Sequence, residues 1–193
     1  MPSPSTNTRP GTRSRPAAPK LDALFGVTGA AIGLEAAAGM KPTGQAAVCF
    51  HPASGQGFEA ASEELKELLE LAVAEAGSTL SVTDDRYGYR WVVLADPDPE
   101  DLVTSAHLVN STLEQHGFGP QLLCSVFAFA DSAGRRFHLV YLYKRGTFYP
   151  FAPLDGERRD NELELRVKAA LGGDLPVEPE LARWFALSGL PLD

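Results

Sequence analysis

A run of basic and aromatic side chains between Leu139 and Asn161 is the part of this sequence whose residue types could bind an anionic partner. The run begins with alternating β-branched and aromatic residues, a pattern typical of a strand. Positive charges then flank a cluster of aromatic rings, an arrangement found where proteins bind nucleic acid or an acidic protein face. The candidate partner-binding residues are Lys144, Arg145, Phe148, Tyr149, Phe151, Arg158 and Arg159.

The stretch KRGTFYPF departs from the RNA-recognition motif, in which aromatic residues occupy the third, fifth and eighth positions. Thr147 and Ala152 stand at the third and eighth positions, and only Arg145, the glycine after it and Tyr149 match. Pro150 would interrupt the hydrogen bonds of a central strand, so the stretch is predicted to be a strand end with a bent aromatic exit. A flat surface for stacking bases is not expected.

The charge of the chain also disfavours nucleic acid as a partner. The net charge is -8, from 25 acidic and 17 basic residues, and the first 20 residues contain four of the bases and no acid. The body therefore has 13 bases against 25 acids, a net charge of -12. Such a body repels a phosphate backbone unless its bases are gathered on one face. A protein partner is the stronger prediction.

Two interpretations of the basic and aromatic run stay open. In the first, Phe148 and Phe151 cap the core while the bases pair with the chain's own acids. In the second, exposed aromatics and bases form a surface for an acidic protein face. The second predicts that replacing Arg145 and Arg159 together by glutamate leaves folding nearly intact and weakens partner capture.

The segment SGQGFEA satisfies the dinucleotide pattern G-x-G-x-x-A with Gly55, Gly57 and Ala60. Phosphate binding needs these glycines in the tight turn between strand and helix, but the residues HPAS separate the preceding strand from Gly55. The following hairpins also do not continue a βαβ series. A small nucleotide-binding protein or enzyme that uses the Gly55–Ala60 loop is therefore the alternative function.

No metal site is predicted. The segment DPDPED brings carboxylates together, but Asp98 fits a helix N-cap, Pro99 the first helical position, and Glu100 and Asp101 an acidic first turn. The four histidines are too dispersed to form a ligand set.

No catalytic residue or cofactor is predicted either, so the protein is expected not to be an enzyme. Cys49 and Cys124 lie in apolar strand-like runs and are interpreted as reduced core residues. Ser111 and Ser125 lack the nucleophile-elbow pattern.

The elements that would position these residues follow from hydrophobic periodicity and glycine or proline punctuation. Helices are predicted at 59–76 and 100–116, with further helices around 30–38, near 160–171 and from Pro179. Antiparallel strands are predicted at Gln121 to Asp131 and Arg135 to Arg145, joined by the turn DSAG. Strands in hairpins separated by single helices predict an α+β fold, with helices packed on a largely antiparallel sheet.

The ends of the chain are treated separately. Residues 1–20 are basic and rich in proline and are predicted to be a disordered tail, with a single domain over 21–193. No segment has the pattern of a signal peptide. The apolar stretch from Ala23 to Met40 is dilute and contains Glu35, so a membrane span is not expected.

Several runs of the sequence are distinctive: the most specific are YLYKRGTFYPFAP with GERRDN, supported by RYGYRW, HLVNSTLEQHGFGPQLLCSVFAF and LPVEPELARWF. Across about Leu21 to Leu187 these runs resemble the PspA-associated protein PspAB family. The basic tail departs from the family's short start.

The resemblance implies an accessory or adaptor protein of the phage-shock envelope-stress response, with no catalytic residue to carry over. It implies association with PspA and with the membrane protease HtpX, a cytoplasmic location at the inner face of the membrane, and at most peripheral membrane association. The order of elements is also similar to that of YbjN and type III secretion chaperones, by analogy of fold alone, and this analogy implies homodimerisation as an option.

Overall fold

A six-stranded sheet forms the centre of the protein in a computed structural model, which describes residues 21–52, 56–75, 77–155 and 158–192. The sheet order is β2-β3-β1-β4-β5-β6, and every neighbouring pair is antiparallel. This confirms the predicted α+β class with an antiparallel sheet. The strands β1 to β6 are Lys41–Phe50, Thr79–Asp84, Arg90–Ala95, Leu122–Ala130, Arg136–Leu142 and Thr147–Phe151.

Helices cover one face of this sheet. In chain order α1 to α4 are Gly26–Ala38, Gln56–Glu75, Pro99–Leu113 and Asn161–Leu171, and short 3-10 segments lie at Leu21–Phe25, Gly119–Gln121 and Leu181–Arg183. The core between helices and sheet contains buried residues from all four helices, such as Leu34, Leu69, Val109 and Leu163. The predicted helices at 59–76 and 100–116 correspond to α2 and α3.

The predicted hairpin is confirmed by the pairing of β4 with β5. Their register runs from Cys124 opposite Leu142 to Ala130 opposite Arg136. The turn is held by Asp131, whose carboxylate accepts hydrogen bonds from the backbone nitrogens of Ala133 and Arg135. The hydrogen bonds that Asp131 accepts in this turn thus set the register of β4 and β5.

The acidic DPDPED segment begins α3, as the sequence predicted. Asp98 is the N-cap and its side chain accepts a hydrogen bond from the backbone nitrogen of Glu100. Asp96 is buried, accepts from Ser78 Oγ at 2.6 Å and also accepts from the backbone nitrogen of Asp98. Both carboxylates therefore satisfy donors of the chain itself.

Replacing Asp98 by alanine is expected to lower the free energy of unfolding by about 1 kcal/mol, the usual effect of losing an N-cap acceptor. Urea denaturation measures the change. Asp101→Ala is the matched control, since it removes a carboxylate from the same turn without removing that capping bond. Equal losses in the two variants would show that charge in the first turn matters and the cap does not.

The C-terminal part of the chain differs from the prediction. The helix expected from Pro179 is wrong: only the turn Leu181–Arg183 is helical. Residues 176–192, named here the strap, otherwise cross the face of the sheet opposite the helices. Trp184 anchors this segment, because its indole nitrogen donates to the carbonyl of Glu178 at 3.0 Å and its ring stacks on Tyr149.

The stretch after Lys144 is also a regular strand and not a bent exit. β6 pairs along β5, with Pro150 opposite Leu139. A proline is tolerated here because β6 is the last strand of the sheet, so the missing N–H leaves no central ladder position empty. The outer edge of β6 is partly covered, since the backbone of Phe148 exchanges hydrogen bonds with Pro176 and Glu178.

The segment Leu21–Ala38 is long and apolar enough to cross a membrane by composition. In this structure Leu24, Val27, Ala30 and Leu34 of that segment are buried in the helix-side core. An apolar helix that packs into a core passes the same composition test as a membrane span. The predicted tail at residues 1–20 lies outside the described residues.

Candidate functional site

The three aromatic residues of the candidate partner surface are buried. Phe148 and Tyr149 are fully buried and Phe151 is 5% exposed. Alternation along β6 places Phe148 in the helix-side core, and Tyr149 and Phe151 in a second core under the strap. The expectation that these rings are exposed anchors is therefore wrong. The physical reason is that both faces of β6 are covered, one by helices and the other by the strap.

Arg145 is held by a buried carboxylate. Its Nε lies 2.8 Å from Oε2 of Glu178, whose side chain has no exposed area. Thr147 Oγ1 donates to the same oxygen, and Arg183 approaches the other oxygen at 3.4 Å. Arg145 thus fixes the start of the strap against the start of β6.

Arg159 has the same kind of role at the other end of β6. Its Nε donates to Oε1 of Glu164 at 2.9 Å, and this carboxylate also accepts from the backbone nitrogen of Ala152. The guanidinium donates to the carbonyl of Trp184 and lies over the ring of Phe151, 5.1 Å from its centroid. Arg159 therefore joins α4, β6 and the strap.

Lys144 and Arg158 remain exposed, at opposite ends of β6. Within the described residues neither forms an ion pair with a carboxylate. Arg158 belongs to a small hairpin after β6, in which its carbonyl accepts from the backbone nitrogen of Leu154, and Leu154 is 46% exposed. The sequence-predicted set thus divides into buried rings, two structural arginines and two exposed bases.

The carboxyl of Glu178 has a strongly shifted pKa. Desolvation raises this pKa, but hydrogen bonds from Arg145, Thr147 and the backbone outweigh the effect and lower the pKa to about 2. A depressed carboxyl pKa means that the charged form stabilises the fold above the unfolded pKa, near 4.5. That contribution is lost as the pH falls from about 4.5 to about 2.

Glu178→Gln is therefore expected to lower the unfolding free energy at pH 7 by roughly 1.5–3 kcal/mol, the usual value of hydrogen bonds to a charged group. The difference in unfolding free energy between the variant and the wild type should narrow as the pH falls from about 4.5 to about 2. Urea denaturation at a series of pH values measures it. A gap that stays constant with pH would mean that the charge of Glu178 does not stabilise the fold.

Cys49 and Cys124 face each other across β1 and β4, and both are buried free thiols, as the sequence predicted. Together with Trp91 and Tyr149 they line an apolar cavity of about 480 Å³. A hydrogen bond to Cys124, together with burial, raises the pKa of the Cys49 thiol. A thiol that keeps its proton is a poor nucleophile, so the Cys49 thiol is not activated for covalent catalysis.

The dinucleotide pattern has no βαβ context here. Gly55 lies outside the described residues, and Gly57 and Ala60 lie within α2. β1, which precedes α2, pairs with β3 and β4, both antiparallel to it. Over the described ranges no group of three or more His, Cys, Asp or Glu side chains could hold one metal ion.

Sequence reasoning missed the two buried glutamates and a second cluster of basic side chains. Glu164 and Glu178 have further charged residues two positions away in the sequence, so nothing in their surroundings marked them as buried. Arg86 lies in the turn between β2 and β3, whereas Arg136 and His138 both lie on β5. Arg86 and His138 line one cavity only in the folded chain, so their spacing carried no signal. Their arrangement is described in the final Results subsection.

A family model described as PspA associated protein B matches residues 10–192. No curated protein and no solved structure matches the chain. The likeness to YbjN and type III secretion chaperones thus stays a prediction. The family match covers nearly the whole sequence, including every strand and helix described above. The chain belongs to the PspA associated protein B family.

Proposed function

We propose that this protein is a non-enzymatic accessory protein of the PspA envelope-stress response that binds PspA directly. The observation that carries the proposal is the family match over residues 10–192, whose description names association with PspA. The protein would act in the cytoplasm, at the inner face of the membrane. HtpX is a further partner that the family resemblance implies, and a second copy of the chain is one that the analogy to secretion chaperones implies.

The binding surface that we propose extends along β6, from Lys144 and Arg145 before the strand to Leu154 and Arg158 after it, and is named here the β6 surface. It keeps the two exposed bases of the sequence-predicted set and the partly exposed Arg145, and replaces the buried rings by Leu154, an exposed apolar side chain near Arg158 in the chain. Because the body has a net charge of -12, exposed bases form a local contrast that would select an acidic face of the partner. Arg145 is half-exposed and is already oriented by Glu178.

The absence of an enzymatic role is supported by the ordinary structural causes of the shifted carboxylates. Catalytic groups often have shifted pKa values, but structural ion pairs shift them too. Glu178 is accounted for by Arg145 and Thr147. Desolvation acts on Asp85 as well, but hydrogen bonds from Trp91 and the surrounding turn lower the pKa of this carboxyl.

Lys144→Glu combined with Arg158→Glu is expected to weaken binding to purified PspA by about tenfold or more, because two favourable rim contacts become repulsive. Titration calorimetry measures the affinity. The matched control is Lys66→Glu with Arg166→Glu, which makes the same change of charge on α2 and α4. Both variants should unfold at nearly the wild-type urea concentration, since exposed charges contribute little.

Equal weakening in both variants would show that net charge and not the β6 surface determines binding.

A thermal-shift assay with nucleotides addresses the alternative function. A nucleotide present at a hundred times its dissociation constant would add about 2.7 kcal/mol of stability. Such a gain, together with no affinity for PspA, would favour the nucleotide-binding alternative.

A further inference from the structure

A cavity of about 630 Å³ lies between the strap and strands β5 and β6. Its polar lining is formed by Arg86, His138 and Arg158, and its apolar lining includes Phe151 and leucines of the strap. The volume lies within the range of small-molecule sites, which combine an apolar wall with a few placed polar groups. No acidic side chain among the described residues lines this cavity.

Among the described residues, no carboxylate neutralises the two arginines of the cavity. Arg86 donates to the hydroxyl of Tyr87, and Arg158 donates to the backbone carbonyl of Asp155. Neither has an ion pair within the part of the chain that the structure describes. In a body with a net charge of -12, two such guanidinium groups beside one cavity leave a local positive charge without a counterion.

A second cavity of about 510 Å³ shares His138 and Arg158 with the first and extends the positive lining to Arg136. Arg136 also lacks an ion pair within the described ranges. Asp155 and Asp160 line this second cavity, so its charges are mixed. The first cavity is thus the better candidate to bind an anion, and Arg136, from the second cavity, adds to its positive electrostatic potential.

Among the described residues, two buried nitrogens beside Phe151 have no hydrogen-bond partner, and of these two residues only His138 lines the cavity. His138 is 3% exposed and its Nδ1 forms no hydrogen bond, and the same holds for Nη2 of Arg159. Both groups border the ring of Phe151: the His138 ring lies 6.2 Å from it and the Arg159 guanidinium 5.1 Å. A buried polar group without a partner destabilises the fold, and a ligand that supplies a partner to His138 would offset that cost.

The imidazole of His138 is suited to an uncharged hydrogen bond. Burial, and after it the charge of Arg136, lower the pKa of His138 to about 4. The ring is neutral at pH 7, with one nitrogen as donor and the other as acceptor. Arg86 and Arg158 would therefore supply the charge for an anion, and His138 a directional contact.

We propose that this cavity binds a small amphiphile: a phosphate or carboxylate group on an apolar body. The oxyanion would lie between Arg86 and Arg158, beside His138. The apolar body would lie against Phe151 and the leucines of the strap. Residues 186–188 also wall the apolar cavity of about 480 Å³ over Cys49 and Cys124, which offers additional apolar volume on the other side of the strap.

Titration calorimetry with four probes tests the site: decyl phosphate, decanoate, decanol and inorganic phosphate. The two charged amphiphiles are kept below their micelle concentrations and decanol below its solubility limit. Decyl phosphate and decanoate are expected to bind the full-length chain. Decanol, which lacks the charge, and inorganic phosphate, which lacks the apolar body, are each expected to bind about tenfold or more weakly. Preference for one of the two amphiphiles would identify the headgroup.

Arg86→Gln is the main variant, because Arg86 is exposed and lies outside the β6 surface. Arg86→Gln should weaken the binding of decyl phosphate by about tenfold or more, whereas Arg166→Gln, on α4, should leave this binding unchanged. Arg86→Gln should also leave PspA binding unchanged, so failure of this site and failure of the proposed function are distinguishable. Urea denaturation verifies that both variants fold.

The proposal is overturned if no amphiphile binds, if decanol binds as tightly as decyl phosphate, or if Arg86→Gln binds like wild type. If inorganic phosphate binds as tightly as decyl phosphate, the site binds a free anion, and the proposal that its ligand is an amphiphile is wrong.

Discussion

Phe148→Ala is expected to lower the free energy of unfolding by about 3–5 kcal/mol, the usual cost of truncating a buried phenylalanine. The ring is fully buried in the helix-side core and packs 4.9 Å from the ring of Tyr141, centroid to centroid. Urea denaturation followed by tryptophan fluorescence measures the loss.

Phe185→Ala is the matched control, because this ring is 58% exposed and its removal should cost far less. If Phe148→Ala instead kept wild-type stability and lost only binding to PspA, the ring would be a partner anchor, as first expected from the sequence, and its burial here would be contradicted.

Arg159→Ala is expected to destabilise the fold by about 3–5 kcal/mol, because it leaves a buried carboxylate without its cation. The side chain of Glu164 is only 4% exposed, and the backbone nitrogen of Ala152 is the other group that donates to it. The variant also loses the contact of Arg159 with the Trp184 carbonyl, which holds the strap. Urea denaturation again measures the difference.

The double variant Arg159→Ala with Glu164→Gln separates the charge effect from lost packing. It should recover part of the stability, since no uncompensated charge remains buried. A loss below about 1 kcal/mol in the single variant would mean that the pair behaves as an exposed surface pair. The original expectation, that glutamate at 145 and 159 leaves folding nearly intact, is thus replaced by an expectation of severe destabilisation.

Elements specified by neighbouring residues were predictable from the sequence. The β4–β5 hairpin follows from two apolar runs around the DSAG turn, and Asp131 supplies the hydrogen bonds that close it. The start of α3 follows from Asp98 and Pro99, because a cap acceptor and a proline at the first position are local requirements. Neither depends on distant parts of the chain.

The strap was not predictable, because its conformation depends on residues far away in the sequence. The segment from Pro179 has an apolar spacing that suits a helix, but Trp184 is held by Tyr149 and by Arg159, from β6 and the turn before α4. Tertiary contacts therefore override local propensity. The bent exit predicted from Pro150 was wrong for a similar reason, since a proline is compatible with an edge strand and the sequence does not show which strand lies at an edge.

The candidate site was predictable only in part. The sequence identified the basic residues around β6 but could not divide them into structural and exposed groups, because Glu164 and Glu178 reach them through folding. Arg158 was among the basic residues that the sequence identified, but its convergence with Arg86 and His138 carried no signal, since the three lie in the β2–β3 turn, on β5 and after β6. Such convergence is a property of the fold.

The central claim is direct binding to PspA, and sedimentation velocity of the purified full-length chain with purified PspA from the same organism tests it most directly. The account predicts a co-sedimenting complex that the wild type and the Lys66→Glu, Arg166→Glu control form alike, and that Lys144→Glu with Arg158→Glu weakens. Independent sedimentation of the two wild-type proteins across the whole concentration range would contradict it.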